Sequence, residues 1–365
     1  EYIFGDVMDN IDERIIPLRV GIDVGSTTVK IAILDNEDKL IPNLRKSASL
    51  ILGIYLGIIV VGTIAYWLAG MPIFDAMIHS ISAVATGGFS SKAGGLTDPY
   101  FAGKVNMPAV EIISIVLMVL GATNFLTTLL LITGKFKKVI KDCELKVLAI
   151  LIVIFVPLFF LSSFSAYGWE NGWDAFRHGA FTFFSAITTT GFSNVSSVVT
   201  LGQGTMFLVV ILNVVGGGMG STAGGVKQYR VAVAAKSLFW STREKMAPAR
   251  MVYPHFINRC GEEKEITHQD AHEAYGYIVI YLLLMAIGAF AVTLFSGWSF
   301  GDSLFEFSNA ISSTGLSNGL TAACSSNNGV LWTLIIGMFA GRLEILPIYF
   351  GLYRVIRDIL GKETI

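Results

Sequence analysis

Charge is what this chain has least of. Only 15% of its 365 residues are Asp, Glu, Lys or Arg, against about 25% in soluble domains. The formal net charge is −1, so the basic surface that a nucleic-acid partner needs is lacking. Cysteine is scarce too. Cys143, Cys260 and Cys324 are scattered along the chain, which excludes a disulfide framework and a transition-metal cluster. The first 41 residues contain no apolar core long enough for a cleavable signal peptide. What the chain does have is apolar residues, 53% of the total, gathered into repeated runs of about 20. That pattern reads as a polytopic membrane protein.

One uncharged stretch, Ser185 to Asn194 (SAITTTGFSN), organises the rest because it occurs three times. The other copies are Ser82 to Ser90 (SAVATGGFS) and Asn309 to Asn318 (NAISSTGLSN). With Gly88, Gly191 and Gly315 in one column, the three preceding columns read Ala85/Thr188/Ser312, Thr86/Thr189/Ser313 and Gly87/Thr190/Thr314. Asp75 and Asp302 stand at the same distance before the glycine in two copies. The copies lie roughly 100 to 125 residues apart. That is far too long for a solenoid and suits a large repeated unit of a transport protein.

Each copy ends a short apolar segment flanked by long ones. In the first unit, Ala48 to Ala69 spans, Ile73 to Ala85 is too short to span, and Ala109 to Thr133 spans again. In the second, Leu145 to Ala166 is followed by Trp173 to Thr189 and by Thr205 to Trp240, which is interrupted. In the third, Tyr275 to Phe295 is followed by Asp302 to Ser313 and Val330 to Ile359. The expected fold is therefore an all-α polytopic membrane protein with six spanning and three re-entrant helices. It has three repeats of helix, pore helix, filter loop and helix, over 42–140, 141–245 and 246–365. Positive charge supports one orientation. Lys135, Lys137, Lys138, Lys141 and Lys146 lie between units one and two, and Arg243, Lys245, Arg250, Arg259 and Lys264 between units two and three. Those links are then cytoplasmic and the glycine motifs open outward.

A re-entrant loop of this composition offers backbone carbonyls and hydroxyls and no charged side chain. Such backbone is tolerated at membrane depth only when buried in protein or lining a wet cavity. A ring of carbonyls replaces the hydration shell of a monovalent cation, whereas a divalent ion prefers carboxylates. One copy alone would read as a tight turn. Three read as a selectivity filter, made of Ala85, Thr86, Gly87, Gly88, Thr188, Thr189, Thr190, Gly191, Ser312, Ser313, Thr314 and Gly315. A second glycine-rich run interrupts the second unit's returning helix: Gly216, Gly217, Gly218, Gly220, Ser221, Thr222, Gly224 and Gly225. So many glycines do not hold a helix, and the run lacks the lysine spacing of a phosphate loop. It reads as a flexible pore loop or as a site of close packing. Arg342, mid-helix, is costly at membrane depth and reads as held by Glu344 or by a carbonyl. His79, Asn124, Asn213 and Asn309 read as packing or interhelical hydrogen-bonding residues.

Residues 1–41 differ from the remainder. Leu18 to Val24 and Val29 to Asp35 alternate like strands about Gly25-Ser26-Thr27-Thr28, so a short N-terminal β-hairpin is expected. Gly21 to Lys30 (GIDVGSTTVK) resembles the first phosphate loop of the actin-like ATPases, most of all the activator ATPases of 2-hydroxyacyl-CoA dehydratases. The similarity covers only this hairpin.

From Pro42 onward the repeated units resemble the Trk/Ktr/HKT potassium-transporter superfamily, and its TrkH-type subunit most. Trp67 to Met71, Phe74-Asp75-Ala76 and Gly87 to Ser90 look like its second repeat. Gly220 to Lys227 looks like the broken helix of its third, and Gly341-Arg342-Leu343-Glu344 like the signature of its fourth. The resemblance implies potassium uptake rather than enzyme activity, in the cytoplasmic membrane of a bacterium or archaeon. Potassium is the transported ligand and no covalent cofactor is needed. The resemblance also implies that Arg342 faces the ion path instead, and that it forms a gate under the filter with the glycine loop. The implied partners are a second copy of the chain and a TrkA-like nucleotide-binding regulatory subunit. The family builds its pore from four units and three are found here, which implies a truncated chain that is not competent alone. The rival readings are a sodium-permeable transporter and an ATP-dependent activator fragment on a membrane anchor.

Overall fold

The computed structural model describes residues 41–168, 171–246, 255–323, 327–342 and parts of 351–357, with side chains from residue 49 on, and the backbone of two strands near the N-terminus. Residues 1–56 and 57–365 are separate compact units. In the first, Arg19–Gly25 and Thr28–Leu34 pair antiparallel. Their side chains, and the ATPase-like reading that depends on them, lie outside the described residues.

The part from residue 57 on is helical, as its apolar runs require. Ser49–Leu68, which begins before that boundary, Cys143–Tyr167 and His268–Ser296 are long and apolar enough to cross a membrane. Each is followed by a short helix: Ile73–Val84, Gly172–Ile187 and Phe300–Ile311. These short helices begin with acidic residues in the first turn (Asp75, Asp174, Asp302), where a carboxylate meets the positive end of the helix dipole. Gly297, left-handed at φ 73°, ends the third long helix and lets the chain turn back into Phe300–Ile311.

The returning helices depart from the expected six straight spans. The run expected to cross continuously from Ala109 to Thr133 is two helices, Met107–Ala122 and Phe125–Ile132, bent by 117° at the break. Asn124 is the reason. Its Oδ1 caps the Leu126 N–H at 2.9 Å, while its Nδ2 donates to the Met219 carbonyl at 2.6 Å. The second unit's return is broken where the glycines predict it, between Gln203–Val215 and Gln228–Met246. The third unit's return is described from Asn328 to Arg342.

The expected fold placed β structure in the N-terminal segment alone, and this needs correction. The hairpin that belongs to the helical body lies mid-chain, Phe256–Arg259 against Glu262–Glu265. Cys260 and Gly261 form its two-residue loop with φ of 50° and 83°, the primed turn that matches strand twist. The second strand (EEKE) is wholly exposed, so no apolar alternation marked it in the sequence. Its anchor is Ile257, fully buried with Cys143, Met219, Tyr229 and Val233. The largest core joins units two and three: Phe183, Ile187, Val209, Leu212, Tyr281, Phe305 and Ile311 all bury there.

Candidate functional site

All three short helices end in one way. The capping residue is Ala85, Thr188 or Ser312. The next N–H (Thr86, Thr189, Ser313) donates to the carbonyl of Ala83, Ala186 or Ala310 at 3.2, 3.0 and 3.0 Å. The one after (Gly87, Thr190, Thr314) donates to Ser82, Ser185 or Asn309 at 2.8, 3.0 and 2.9 Å. This is the Schellman pattern, which needs a left-handed residue and normally uses glycine. Here Thr86, Thr189 and Ser313 take that role, with φ of 48°, 50° and 56°. A left-handed β-branched residue is a steric outlier, and such strain costs about 1–3 kcal/mol. Two residues on, Gly88, Gly191 and Gly315 are left-handed again, at 69°, 85° and 91°. The backbone thus changes hand twice within three residues, in triplicate.

The copies also touch in order. A Cβ added to Gly88 would collide with the Thr190 carbonyl, and one added to Gly191 with the Thr314 carbonyl. At Gly315 the series stops, with nothing within 4 Å among the described residues. The other end is open as well. Phe192 and Leu316, directly after the glycine in copies two and three, are each 3% exposed, while Phe89 in copy one is 75% exposed.

Hydroxyls differ between copies. Thr188 Oγ1 pairs with Thr190 Oγ1 at 2.8 Å, and Ser312 Oγ with Thr314 Oγ1 at 2.7 Å. Copy one has Ala85 and Gly87 at those positions, so both partners of the pair are missing together. Thr314 Oγ1 continues to Asn213 Oδ1 at 3.0 Å, and Asn213 Nδ2 donates to Asn309 Oδ1 at 3.0 Å.

The loop 216–225 lies against all three copies. Gly224 N–H donates to Thr189 Oγ1 at 2.6 Å, and a Cβ on Gly224 would collide with the Ser312 carbonyl. Thr86 Oγ1 donates to Thr222 Oγ1 at 3.0 Å. The Thr222 hydroxyl lies 3.1 Å from the Val84 carbonyl oxygen and 3.0 Å from that of Gly121. Arg342 Nη1 donates to the Thr222 carbonyl at 2.8 Å. That is the arginine–carbonyl arrangement; Glu344 lies outside the described residues. From the other side the loop is held by Gly218 N–H to the Ala122 carbonyl (2.8 Å), Met219 N–H to Glu144 Oε1 (3.1 Å) and Gln228 Nε2 to the Gly216 carbonyl (3.1 Å). Close packing is thus present at Gly216, Gly217 and Gly225, where an added Cβ meets Gly224, Ala223 and Gly216 respectively.

Several residues around the site were not singled out from sequence. Buried Glu111 accepts from Arg177 Nε and Nη2 at 2.5 and 2.8 Å and from Asn194 Nδ2 at 3.0 Å, tying unit one to the second glycine loop. Buried Glu144 holds the 216–225 loop, and buried Glu306 holds the third glycine loop. A carboxylate inside an otherwise apolar run was the available signal, since burying one without partners is costly. Among the described residues no group of three or more His, Cys, Asp or Glu could hold a metal ion.

Comparison with known proteins agrees with this architecture. Residues 25–356 match the TrkH family, described as cation transport protein. The chain is 28% identical to the Trk system potassium uptake protein TrkH of Vibrio parahaemolyticus, over 86% of this chain and 63% of that protein. It is 26% identical to a cation transporter of Methanocaldococcus jannaschii, over 86% of this chain and 60% of that one. The crystal structure of the potassium transporter TrkH from V. parahaemolyticus superposes with a TM-score of 0.72 at 25% identity, covering 85% of this chain and 65% of that chain. The chain spans less than two thirds of the length of these relatives.

Proposed function

The chain belongs to the TrkH family of cation transport proteins, and from that premise we propose that it forms part of a potassium-uptake path in a bacterial or archaeal cytoplasmic membrane. It is a multi-pass membrane protein, by its long apolar helices and its family. The observation that carries the proposal is the thrice-repeated backbone reversal at Thr86–Gly88, Thr189–Gly191 and Ser313–Gly315. Alternating the backbone's hand lets successive carbonyls face one axis, where they stand in for an ion's water. Holding Thr and Ser left-handed is costly, and strain of this kind persists where function uses it.

In this reading Ala85 to Gly88, Thr188 to Gly191 and Ser312 to Gly315 are three sides of the filter. The 216–225 loop is the gate beneath it. Its contacts with Thr86, Thr189 and Ser312 favour that role, and so does Arg342, which adds positive charge at the gate's Thr222. The units are 42–140, 141–245 and 246–365. The open face at Gly315 and the exposed Phe89 favour a ring completed by a fourth unit. A second copy of the chain and a TrkA-like nucleotide-binding subunit are the partners proposed from the family.

The test is rubidium or potassium uptake into cells without their own potassium importers, comparing this chain with Gly315→Ser, where an added side chain meets nothing within 4 Å among the described residues, at equal membrane expression. Uptake that is abolished by Gly315→Ser is the expected result if a partner completes the ring. Absence of uptake from well-inserted protein supports the truncated reading, and restoring a preceding unit should then recover it. Sodium uptake of equal size would favour the sodium-permeable alternative.

A further inference from the structure

The position nine residues before each filter glycine has a common task in two copies. In copy one it is His79, in copy three Glu306, and in copy two Thr182. His79 Nε2 lies 3.1 Å from Ser90 Oγ, and its Nδ1 lies 2.8 Å from the Asp75 carbonyl. Glu306 Oε1 accepts from Ser317 Oγ at 2.7 Å and from the Asn318 N–H at 2.8 Å, and its Oε2 accepts from Thr321 Oγ1 at 2.7 Å. Ser90 and Ser317 are the same column, two residues past the glycine. Two chemically unlike side chains therefore hold the same hydroxyl from the same place on the pore helix. Copy two takes another route: Ser193 Oγ turns to the Val195 carbonyl at 2.8 Å, and Asn194 is held by Glu111 from the neighbouring unit.

We propose that His79 and Glu306 are positioning residues that pin the outer end of the filter to the pore helix and thereby set its preference between potassium and sodium. The inference rests on the filter reading above and adds the residues that hold the filter's geometry. At its inner end each three-residue stretch is already fixed by the two Schellman hydrogen bonds. A second attachment just beyond the glycine leaves the intervening carbonyls little freedom to close on a smaller ion. Copy three depends on it most, because a Cβ added at Gly315 would meet nothing within 4 Å among the described residues, so no neighbouring copy packs on that side of the glycine. Glu306 is itself buried, and a buried carboxylate that accepts several hydrogen bonds is a stiff anchor.

The test uses the full chain purified in detergent. Thermal unfolding is followed while potassium or sodium chloride replaces choline chloride at constant ionic strength, since a cation that binds only the folded state raises its melting point. Three proteins are compared: wild type, Glu306→Gln and Ser317→Ala. In Glu306→Gln the amide NH2 would face hydroxyl and N–H donors. The expected result is a potassium half-saturation point raised about tenfold, the scale of one hydrogen bond to a charged group, with sodium protection unchanged. Ser317→Ala, at an exposed position, should shift potassium in the same direction by less. Wild-type potassium-to-sodium ratios in both variants would overturn the positioning role while leaving the filter reading intact. A wild-type chain that potassium does not protect would overturn the positioning role in this chain, and the filter reading would fall with it if a chain carrying an added preceding unit were unprotected too. If Glu306→Gln melts early in choline, Ser317→Ala decides the matter.

Discussion

Gly191 and Gly315 occupy the same place in the repeat and nearly the same backbone conformation, φ 85° and 91°, yet they sit in opposite surroundings. Gly191 lies so close to the Thr314 carbonyl that no Cβ fits, whereas Gly315 faces nothing within 4 Å among the described residues. Phe192 and Phe89 make the same contrast at the next position, 3% against 75% exposed. Phe192 is covered by unit one, where it stacks on His79 with ring centroids 5.9 Å apart. Local sequence therefore builds the turn, and the neighbouring unit decides what the turn is worth. A repeat inside the row is locked; a repeat at its end has identical local structure and a free face.

Substitutions at paired positions can break this comparison. The largest difference is expected for Gly191→Ala against Gly315→Ala. The first forces backbone against backbone and should prevent a stable fold, while the second incurs mainly the left-handed penalty of about 1–2 kcal/mol. Thermal unfolding in detergent reads both, and equal losses would show that Gly315 is as enclosed as Gly191. Next comes Phe192→Ala, expected to cost about 3–5 kcal/mol as a buried aromatic, against less than about 0.5 kcal/mol for Phe89→Ala as an ordinary surface change. Adding a fourth unit should raise the Phe89→Ala cost toward that of Phe192→Ala, and a cost that stays small would argue that no unit packs there. The smallest effect is Thr188→Ala. It removes one member of the 2.8 Å hydroxyl pair with Thr190 and should cost about 1 kcal/mol, making copy two resemble copy one. A silent Thr188→Ala would mean that the pair contributes nothing to the difference between copies.

Much of this was readable from residues alone. The three short helices and their glycine ends follow from a motif repeated in order, and the break at 216–225 follows from glycines that cannot sustain a helix. The bend at residues 123 and 124 was not readable, because Thr and Asn are ordinary residues within membrane helices. It exists because Asn124 reaches Met219, 95 residues away in sequence. The mid-chain hairpin was hidden for a different reason: one strand is all charge, and its stability comes from Ile257 entering a pocket built by other helices. Glu111, Glu144 and Glu306 were visible as charges out of place, but their partners were not.

The sequence by itself determined the membrane character, the three short helices with their glycine ends and the break at 216–225, because hydropathy and glycine content act within a few residues of chain. Tertiary structure alone decided which glycines are enclosed, where the first returning helix bends and which carboxylates hold the loops. Those outcomes depend on atoms brought together from units about a hundred residues apart, and no local pattern records which neighbour will arrive.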